Sequence, residues 1–512
     1  MKNVIFIKIK KTILSGGVHV LSILLFFLIS FPVAFASPVV SDKSITDAVE
    51  DELINDAGVQ ADNIDVFTDD GIVTLKGRVN NILARERATV LARIVKGVRA
   101  VVNEIKVIPP VLYNFRQIKE EVEDALLLDP ATESYEIDVA VRNNIVTLTG
   151  TVHSRKEKGL CELVAKGVKG VMDVENKINI DWDRKRTDSE IEKEITKILE
   201  WDVFVDHRDV NVNVDKGNVI LSGVVGSAAE KYLAAEDSYV SGVKNVDNSK
   251  LEVSGWQRDG DLTRNKYSIK PAEEIRDAVK DALLQDPRVH LSDIVVEVIP
   301  ESRMVILRGT VDNLKARETA AQDARNTAGV SSVKNRIKVR PDQKIGDNRI
   351  KDRLISAFRR DPYLTGYEIR INVVNGIVDL NGMVDTSFEK LQAHDVTSRV
   401  KGVINVDNNL IVKNFSNTYT FDPWVNDYFL YDFYWYGNMR RYPAKSDSEI
   451  LNNIKKELFW SSFVNEDQVE VKVDDGIATL KGRVDSWLEY NTALKNAYEG
   501  GAIYVYNELT VR

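Results

Sequence analysis

The sequence predicts an α+β protein with six tandem αββαβ units, each a three-stranded mixed sheet with two helices on one face. The main observation is a turn followed by x-Val-x-Leu-x-Gly-x-Val, which returns six times along the 512 residues. A second phrase, Gly-[Val/Ala]-x-x-Val-x-Asn, follows every copy. Repetition of this kind indicates that one small domain has been duplicated, because every copy carries the same pattern of elements.

The first unit begins with a helix. Ser44 is expected to cap this helix, because it directly precedes an apolar pattern with helical spacing. The pattern consists of Ile45, Ala48, Val49 and Leu53.

Two strands joined by a tight turn follow the first helix. Residues 64–68 and 72–79 alternate as strands do, and Asp70-Gly71 between them predicts a hairpin turn, since glycine accepts a positive φ. Period-2 alternation puts Gly77 on the inward face of the sheet. A glycine at that place predicts that a helix backbone packs closely against it.

A second helix and a third strand complete the unit. An apolar stripe with helical spacing runs from Ala84 to Val95, and Gly97 ends the helix as a C-cap. A strand over 101–107 comes next. Because a helix connects it to the second strand, these two strands are expected to be parallel, whereas the first two form an antiparallel hairpin.

Twelve repeated positions are assigned structural roles. In five units the Asn of the second phrase shares parity with an apolar residue two places on, so it points inward, where an amide needs partners. A ligand-binding amide is the alternative, but the same residue in all six copies favours pairing with backbone groups at a turn. In the third unit the alternation slips by one residue at Leu251, which predicts a bulge. The glycines are Gly77, Gly150, Gly223, Gly309, Gly382 and Gly482, and the asparagines are Asn103, Asn176, Asn248, Asn335, Asn408 and Asn507.

The N-terminus has the features of an export signal. A lysine-rich start, an apolar run over 18–31 and Ala34-Phe35-Ala36 predict a signal peptide over 1–36, cleaved after Ala36. The apolar run is shorter than the roughly 20 residues that span a bilayer. An uncleaved anchor is the alternative.

Composition argues against several kinds of chemistry. The formal net charge is −9, and nucleic acid is not expected as a partner, because its phosphates require Lys and Arg. Cys161 is the single cysteine, so no intrachain disulfide forms, and it lacks a CxxC partner. No pair of histidines has metal-ligand spacing, and there is no phosphate-binding glycine pattern. We therefore expect no catalytic residues, no cofactor and no metal.

The repeat resembles the BON domain, the module of osmotically inducible periplasmic proteins. The resemblance rests on the αββαβ order and on the two linked phrases. It implies an envelope location, association with phospholipid surfaces or envelope partners, and no catalytic residues. The repeats cover 41–108, 116–182, 187–254, 271–340, 346–413 and 446–512, with a polar linker at 255–270 and an aromatic linker at 414–444.

The aromatic linker is the main candidate contact site. It contains twelve aromatic residues, and Tyr and Trp favour places with one apolar and one wet side. Three interpretations stay open: a clamp that packs on the fifth and sixth units, a contact with a partner protein, and a contact with lipid. The candidate contact residues are Trp424, Tyr428, Phe429, Tyr434, Trp435, Tyr436, Arg440 and Arg441.

From the resemblance and the export signal we expect a non-enzymatic periplasmic protein that binds phospholipid or envelope surfaces. Its expected role is envelope maintenance or osmotic and stress protection. The alternative is a periplasmic adaptor or holdase chaperone for envelope proteins. A peripheral position on the outer membrane fits either function, and the sequence leaves open the oligomeric state and the arrangement of the units.

Overall fold

The computed structural model describes residues 40–111, 113–132, 135–182, 186–254, 270–289, 293–413 and 445–511. These residues belong to one compact body that spans Pro38–Arg512. The expected signal segment over 1–36 and the aromatic linker over 414–444 lie outside the described residues.

The predicted fold class is confirmed, since helix, strand, strand, helix and strand follow one another in each unit. The first helices are Asp42–Asn55, Phe115–Leu128, Asp188–Trp201, Ala272–Gln285, Asp347–Arg360 and Asp447–Trp460. The second helices are Ile82–Arg93, Arg155–Lys166, Ala228–Asp237, Leu314–Arg325, Ser387–Ser398 and Trp487–Glu499.

The strands form one sheet in each unit. The first strands are Ile64–Asp69, Ile137–Arg142, Val210–Asp215, Ile294–Ile299, Arg370–Val374 and Val469–Asp474. The second strands are Ile72–Val79, Ile145–Val152, Asn218–Val225, Met304–Val311, Ile377–Val384 and Ile477–Val484. The third strands are Ala100–Val107, Asp173–Asn176 with Asn179–Ile180, Asn245–Val253, Ser332–Val339, Asn405–Val412 and Tyr504–Val511.

The second strand lies in the middle of each sheet, antiparallel to the first strand and parallel to the third. In unit 1, Gly77 is opposite Ile64 on one side and Ile105 on the other. In unit 3 the register shifts between Asp247 and Lys250, which confirms the predicted bulge. The mixed pairing follows from the connections, a short turn on one side and a helix on the other. The turn has two residues in five units and four in unit 4.

The first helix of unit 1 begins three residues earlier in the chain than a cap at Ser44 would place it. The prediction that Ser44 caps it was wrong, because Ser41 is the N-cap. The Ser41 hydroxyl accepts a hydrogen bond from the Ser44 amide at 3.3 Å, and the Ser44 hydroxyl accepts one from the Ser41 amide at 2.8 Å. The two serines therefore form a reciprocal capping box, in which Ser44 is the third helical residue.

In four units the first residue of the first helix is an aspartate whose carboxylate accepts hydrogen bonds from the hairpin turn. The Asp42 carboxylate accepts hydrogen bonds from the amides of Asp70 at 3.0 Å and Gly71 at 2.9 Å. Both turn residues have positive φ, +48° and +71°, as a type I′ turn requires. This contact ties the start of the helix to the sheet. The equivalent carboxylates are those of Asp188, Asp347 and Asp447.

The repeated glycine has a different neighbour from the one that the sequence predicts. A Cβ at Gly77 would lie 1.9 Å from the carbonyl oxygen of Asn63, the residue before the first strand. The prediction of a helix backbone at this place was therefore wrong. Gly77 is opposite the first residue of the neighbouring strand, so the chain that enters this strand passes over the glycine.

The repeated asparagines join the third strand to the second helix. Asn103 donates from Nδ2 to the carbonyl oxygen of Arg85 at 2.9 Å and accepts at Oδ1 from the amide of Ile105 at 2.9 Å. The helix carbonyl, rather than a turn, is thus the partner of the amide. In the other units the accepting carbonyls are those of Lys158, Lys231, Arg317, Lys390 and Tyr490.

Candidate binding surfaces

The units pair in a nested order along the chain: unit 1 with unit 6, unit 2 with unit 5 and unit 3 with unit 4. In every pair, the residue that precedes the glycine of the second phrase donates its amide hydrogen to the last residue of the partner's first helix. These bonds run from Lys96 to Trp460, from Lys169 to Arg360 and from Ala328 to Trp201, each at 2.8 Å. One contact geometry is therefore used three times.

The first helices of paired units also exchange ion pairs. Lys456 and Asp51 each occupy the tenth position of their helix and lie 2.5 Å apart. Lys197 and Asp281 are the same positions in the pair of units 3 and 4 and also form an ion pair. The remaining pair has a different ion pair. There Arg359 contacts Glu121 at 3.1 Å.

Contacts between the pairs join the six units into one body. Units 1, 2 and 3 touch one another through the ion pairs Arg85–Asp173 at 2.9 Å and Arg155–Glu236 at 3.6 Å, and through the backbone bond from Ala228 to Val98 at 3.3 Å. Units 4, 5 and 6 meet with unit 3 in a small apolar cluster. The cluster includes Ala328, Leu391 and Leu488. The units are thus docked on one another, which the sequence left open.

A cavity of about 120 Å³ lies between units 1, 2 and 5. Asp361 lines it, and burial raises the pKa of this carboxyl to about 6. It accepts a hydrogen bond from Gln392 at 2.7 Å. Arg87 on the same wall is paired with Asp56 at 2.6 Å. Each of these polar pairs lies within one unit, and Arg87 also stacks over the ring of Phe388 of unit 5 at 5.0 Å. The cavity is therefore part of the joint between the units.

A cluster of carboxylates lies between units 1 and 6. Glu52, Glu457 and Glu499 have oxygens within 4.8 Å of one another, a spacing that could suit a metal ion. The ammonium of Lys495 lies among them, 2.9 Å from Glu52 and 3.0 Å from Glu499. This cation already neutralises part of the carboxylate charge. No local motif reveals the cluster, because Glu52 and Lys495 are 443 residues apart in sequence.

Cys161 has none of the properties of a nucleophile. Its side chain is 0% exposed, and burial raises the pKa of the thiol to about 12. A reactive cysteine needs access and a lowered pKa. The thiol is therefore a core group of unit 2.

The outward face of the sheet in unit 4 is basic. Lys334, Arg336 and Lys338 alternate along the third strand, all exposed, and Arg308 stands next to Arg336 on the middle strand. Glu297 is the one carboxylate on this face of the three strands, 3.2 Å from Arg308.

The matching outward positions of the other third strands are not basic in this way. They are Val102, Glu104 and Lys106; Glu175, Lys177 and Asn179; Asp407, Asn409 and Ile411; and Tyr506, Glu508 and Thr510 in the units without a bulge. We name Arg308, Lys334, Arg336 and Lys338 the basic face. The alternation of basic residues in 334–338 is a signal that sequence reasoning missed.

The predicted contact residues in 414–444 lie outside the described residues, so they remain a prediction. The twelve repeated positions all lie in the described part, inside the units as given above. Among the described helices, none combines the length and the apolar composition needed to cross a bilayer.

Comparison with known proteins gives a consistent result. The model of the BON domain family matches residues 41–109, 116–181, 187–255, 271–341, 346–414 and 446–512. Osmotically-inducible protein Y of Escherichia coli is 29% identical over 201 residues, which are 38% of this chain and 92% of that protein. Outer membrane lipoprotein DolP of Haemophilus influenzae is 28% identical over 144 residues, which are 26% of this chain and 74% of that protein.

Two solved structures of CdsD, a structural protein of the type III secretion system of Chlamydia trachomatis, are also similar. The C-terminal domain of CdsD is 13% identical, with a TM-score of 0.12 over 42% of this chain and 100% of that chain. The other structure is 15% identical, with a TM-score of 0.12 over 46% of this chain and 96% of that chain.

Proposed function

Because the chain belongs to the BON domain family, with six copies of the domain, we propose that it is a non-enzymatic periplasmic protein that binds the anionic phospholipid surface of the envelope. Its role is envelope maintenance or osmotic and stress protection. The export signal predicted over 1–36 supports the location, as do relatives named for osmotic induction and for the outer membrane.

The basic face is the observation that carries this proposal. It collects four cations, with Glu297 as the one carboxylate beside them on the three strands, on a chain whose net charge is −9. A lysine or arginine near an anionic bilayer contributes about 1 kcal/mol of attraction. Val295, 56% exposed and next to Arg308 on the first strand, offers an apolar contact beside these charges.

The aromatic linker is proposed as a second contact with the same surface. Trp424, Trp435 and their neighbouring tyrosines suit the interface between headgroups and acyl chains. Arg440 and Arg441 add positive charge next to them. Two separated contacts on one chain would reinforce each other, because the second binds as an intramolecular event.

Vesicle co-sedimentation of the mature protein tests the proposal. Binding is expected to vesicles that contain phosphatidylglycerol and to be weak with phosphatidylcholine alone. The variant K334E/R336E/K338E is expected to lose at least about a hundredfold in partitioning at low salt, since three attractions of about 1 kcal/mol each are lost and repulsion is added. The variant K76E/R78E/K106E makes the same change of charge on the exposed sheet face of unit 1 and serves as the matched control.

The outcomes separate the parts of the proposal. Equal losses in both triple variants would mean that only the net charge matters, and the basic face would lose its role. Deletion of 414–444 without effect would restrict the contact to the basic face. Absence of binding at any lipid composition would remove the phospholipid function.

The adaptor or holdase alternative is favoured by a different observation. The thirteenth residue of the first helix is an exposed aliphatic side chain in three units: Ile54 at 68%, Leu127 at 64% and Leu284 at 69%. Such side chains could bind apolar segments of envelope proteins. Suppression of the aggregation of a heat-denatured client, lost in I54S/L127S/L284S but kept in K334E/R336E/K338E, would support this function over lipid binding.

A further inference from the structure

The interface between the first and the last unit contains three glutamates around one lysine, and within the described residues this is the one place where three such groups meet. Glu52 is at the eleventh position of its helix, and Glu457 is at the eleventh position of the partner helix. Lys495 and Glu499 come from the second helix of unit 6. At the eleventh position the other pairs have Ala125 and Ala357 in units 2 and 5, and Ala282 and Ile198 in units 4 and 3.

The carboxylates around Glu457 outnumber the ammonium groups, so their charges cancel only when some of the carboxylates bind protons. Around Glu457, the groups that face one another are Asp51 and Glu52 from unit 1, and Lys456, Glu457, Lys495 and Glu499 from unit 6. Four carboxylates thus face two ammonium groups. Lys96 and Glu466 form a separate ion pair across the same interface at 3.3 Å, and Asp47 adds a further negative charge near Lys456. The Lys495 side chain is 4% exposed and that of Glu499 also 4%, so water does little to screen the excess negative charge.

We propose that the contact between units 1 and 6 is a proton-controlled clasp, which is closed when the carboxylate cluster holds protons and weakens when it loses them. Two features of the structure support the clasp. The cluster is inside an interface rather than inside one unit, so opening the interface exposes its members to water. The backbone bonds next to it, from Lys96 to Trp460 at 2.8 Å and from Ser462 to Ile94 at 3.0 Å, exist only while the clasp is closed.

The direction of the pH effect follows from the protonation of Glu457. Burial, together with Glu52, raises the pKa of this carboxyl from its ordinary value of 4.5 to about 7 in the closed state. A group with a raised pKa stabilises the closed state fully below its ordinary pKa, and this stabilisation is lost as the pH rises through about 7. Glu499, whose pKa burial also raises, acts in the same direction. The clasp is therefore tight in acid and looser at mildly alkaline pH.

Hydrogen exchange of the full chain at pH 5 and pH 8, corrected for intrinsic rates, tests the clasp. Protection of the amides of Lys96 and Ser462 is expected to fall by roughly tenfold or more between these pH values, because each unit of pKa shift corresponds to a factor of ten. The amides of Lys169 and Ala328 make the equivalent bonds in the other pairs and are the internal control. Asp361 follows Arg360, and burial raises the pKa of this carboxyl to about 6, so some pH dependence is expected at Lys169 as well. The control is therefore that protection at Lys169 and Ala328 stays the same when Glu457 is replaced.

The variant E457Q identifies the group responsible. Its amide keeps the size of the side chain but cannot ionise, so protection at Lys96 and Ser462 should stay high at pH 8. The control variant E192Q makes the same change at an exposed position on the first helix of unit 3 and should keep the wild-type pH dependence. An equal effect of E457Q on the protection of Lys96, Lys169 and Ala328 at pH 8 would overturn the proposal. An unchanged fall of protection in E457Q, with native circular dichroism, would overturn it as well.

Discussion

The amide of Lys96 donates a hydrogen bond to the carbonyl oxygen of Trp460 at 2.8 Å, and this bond joins the first repeat to the last. Lys96 follows the second helix of unit 1, whereas Trp460 ends the first helix of unit 6. The ring of Phe459 lies 4.4 Å from the ammonium of Lys96, so a cation–π contact accompanies the backbone bond. The same backbone hydrogen bond occurs between units 2 and 5 and between units 3 and 4. All three pairs therefore dock with the same contact.

Replacement of Lys495 is expected to destabilise the protein. The change K495M leaves Glu52 and Glu499 without their shared cation and should lower the free energy of unfolding by about 3 kcal/mol at pH 8, as expected when one partner of a buried ion pair is removed. The loss should be smaller at pH 5, where the carboxyls bind protons. Urea unfolding at both pH values measures it. K193M, an exposed change on the first helix of unit 3, should have little effect.

A methyl group at Gly77 is expected to damage unit 1. The residue has a φ of +136°, and a Cβ would lie 1.9 Å from the carbonyl oxygen of Asn63. We expect G77A to cost about 2 kcal/mol or more, because strain and collision add. The control is G159A, on a helix with no atom within 4 Å of the new Cβ. It should be neutral or stabilising by up to about 1 kcal/mol. Thermal unfolding that ranks the two variants in the opposite order would contradict this account of the glycine.

The repeated asparagine is expected to act as a structural group. Asn408 donates to the carbonyl oxygen of Lys390 at 2.7 Å and accepts from the amide of Leu410 at 3.3 Å. The change N408A removes both hydrogen bonds and leaves the carbonyl of Lys390 and the amide of Leu410 without the side chain that pairs with them. The free energy of unfolding should fall by about 1–3 kcal/mol, the cost of leaving buried polar groups unpaired. N409A, on the next residue of the same strand, should change it by less than about 0.5 kcal/mol, because Asn409 is exposed. If vesicle binding falls in N408A while stability does not, the amide is a binding group instead.

Cys161 offers a reporter of unfolding. The thiol is fully buried and its pKa is raised to about 12 by burial, so an aromatic disulfide reagent should not label it in the native protein at pH 8. Labelling should go to completion in denaturing urea, and at intermediate urea it should follow the opening of unit 2. Rapid labelling of the native protein would contradict the buried position.

Most features within a unit could be predicted from the sequence, because they depend on residues close together in the chain. In four units the hairpin turn follows from glycine at positive φ, whereas Asn144 and Arg303 take this place in units 2 and 4. The bulge at Leu251 follows from a single break in alternation. The neighbour of Gly77 was missed for a definite reason. Alternation predicts which face of the sheet a residue occupies, but it does not predict which segment packs over that residue. The carbonyl oxygen of Asn63 lies over Gly77 because the chain passes there on its way into the first strand.

The sequence by itself determined the repeated unit, its number of copies and its strand order, since each unit contains the residues that make its own core. Only the tertiary structure decided which unit docks on which. The pairing of unit 1 with unit 6 depends on Lys96 and Glu52 of unit 1 meeting Trp460, Glu457 and Lys495 of unit 6. Contacts between residues hundreds of positions apart leave no periodic pattern in the chain. The raised pKa of Glu457 at the clasp likewise arises only when the two surfaces come together and exclude water.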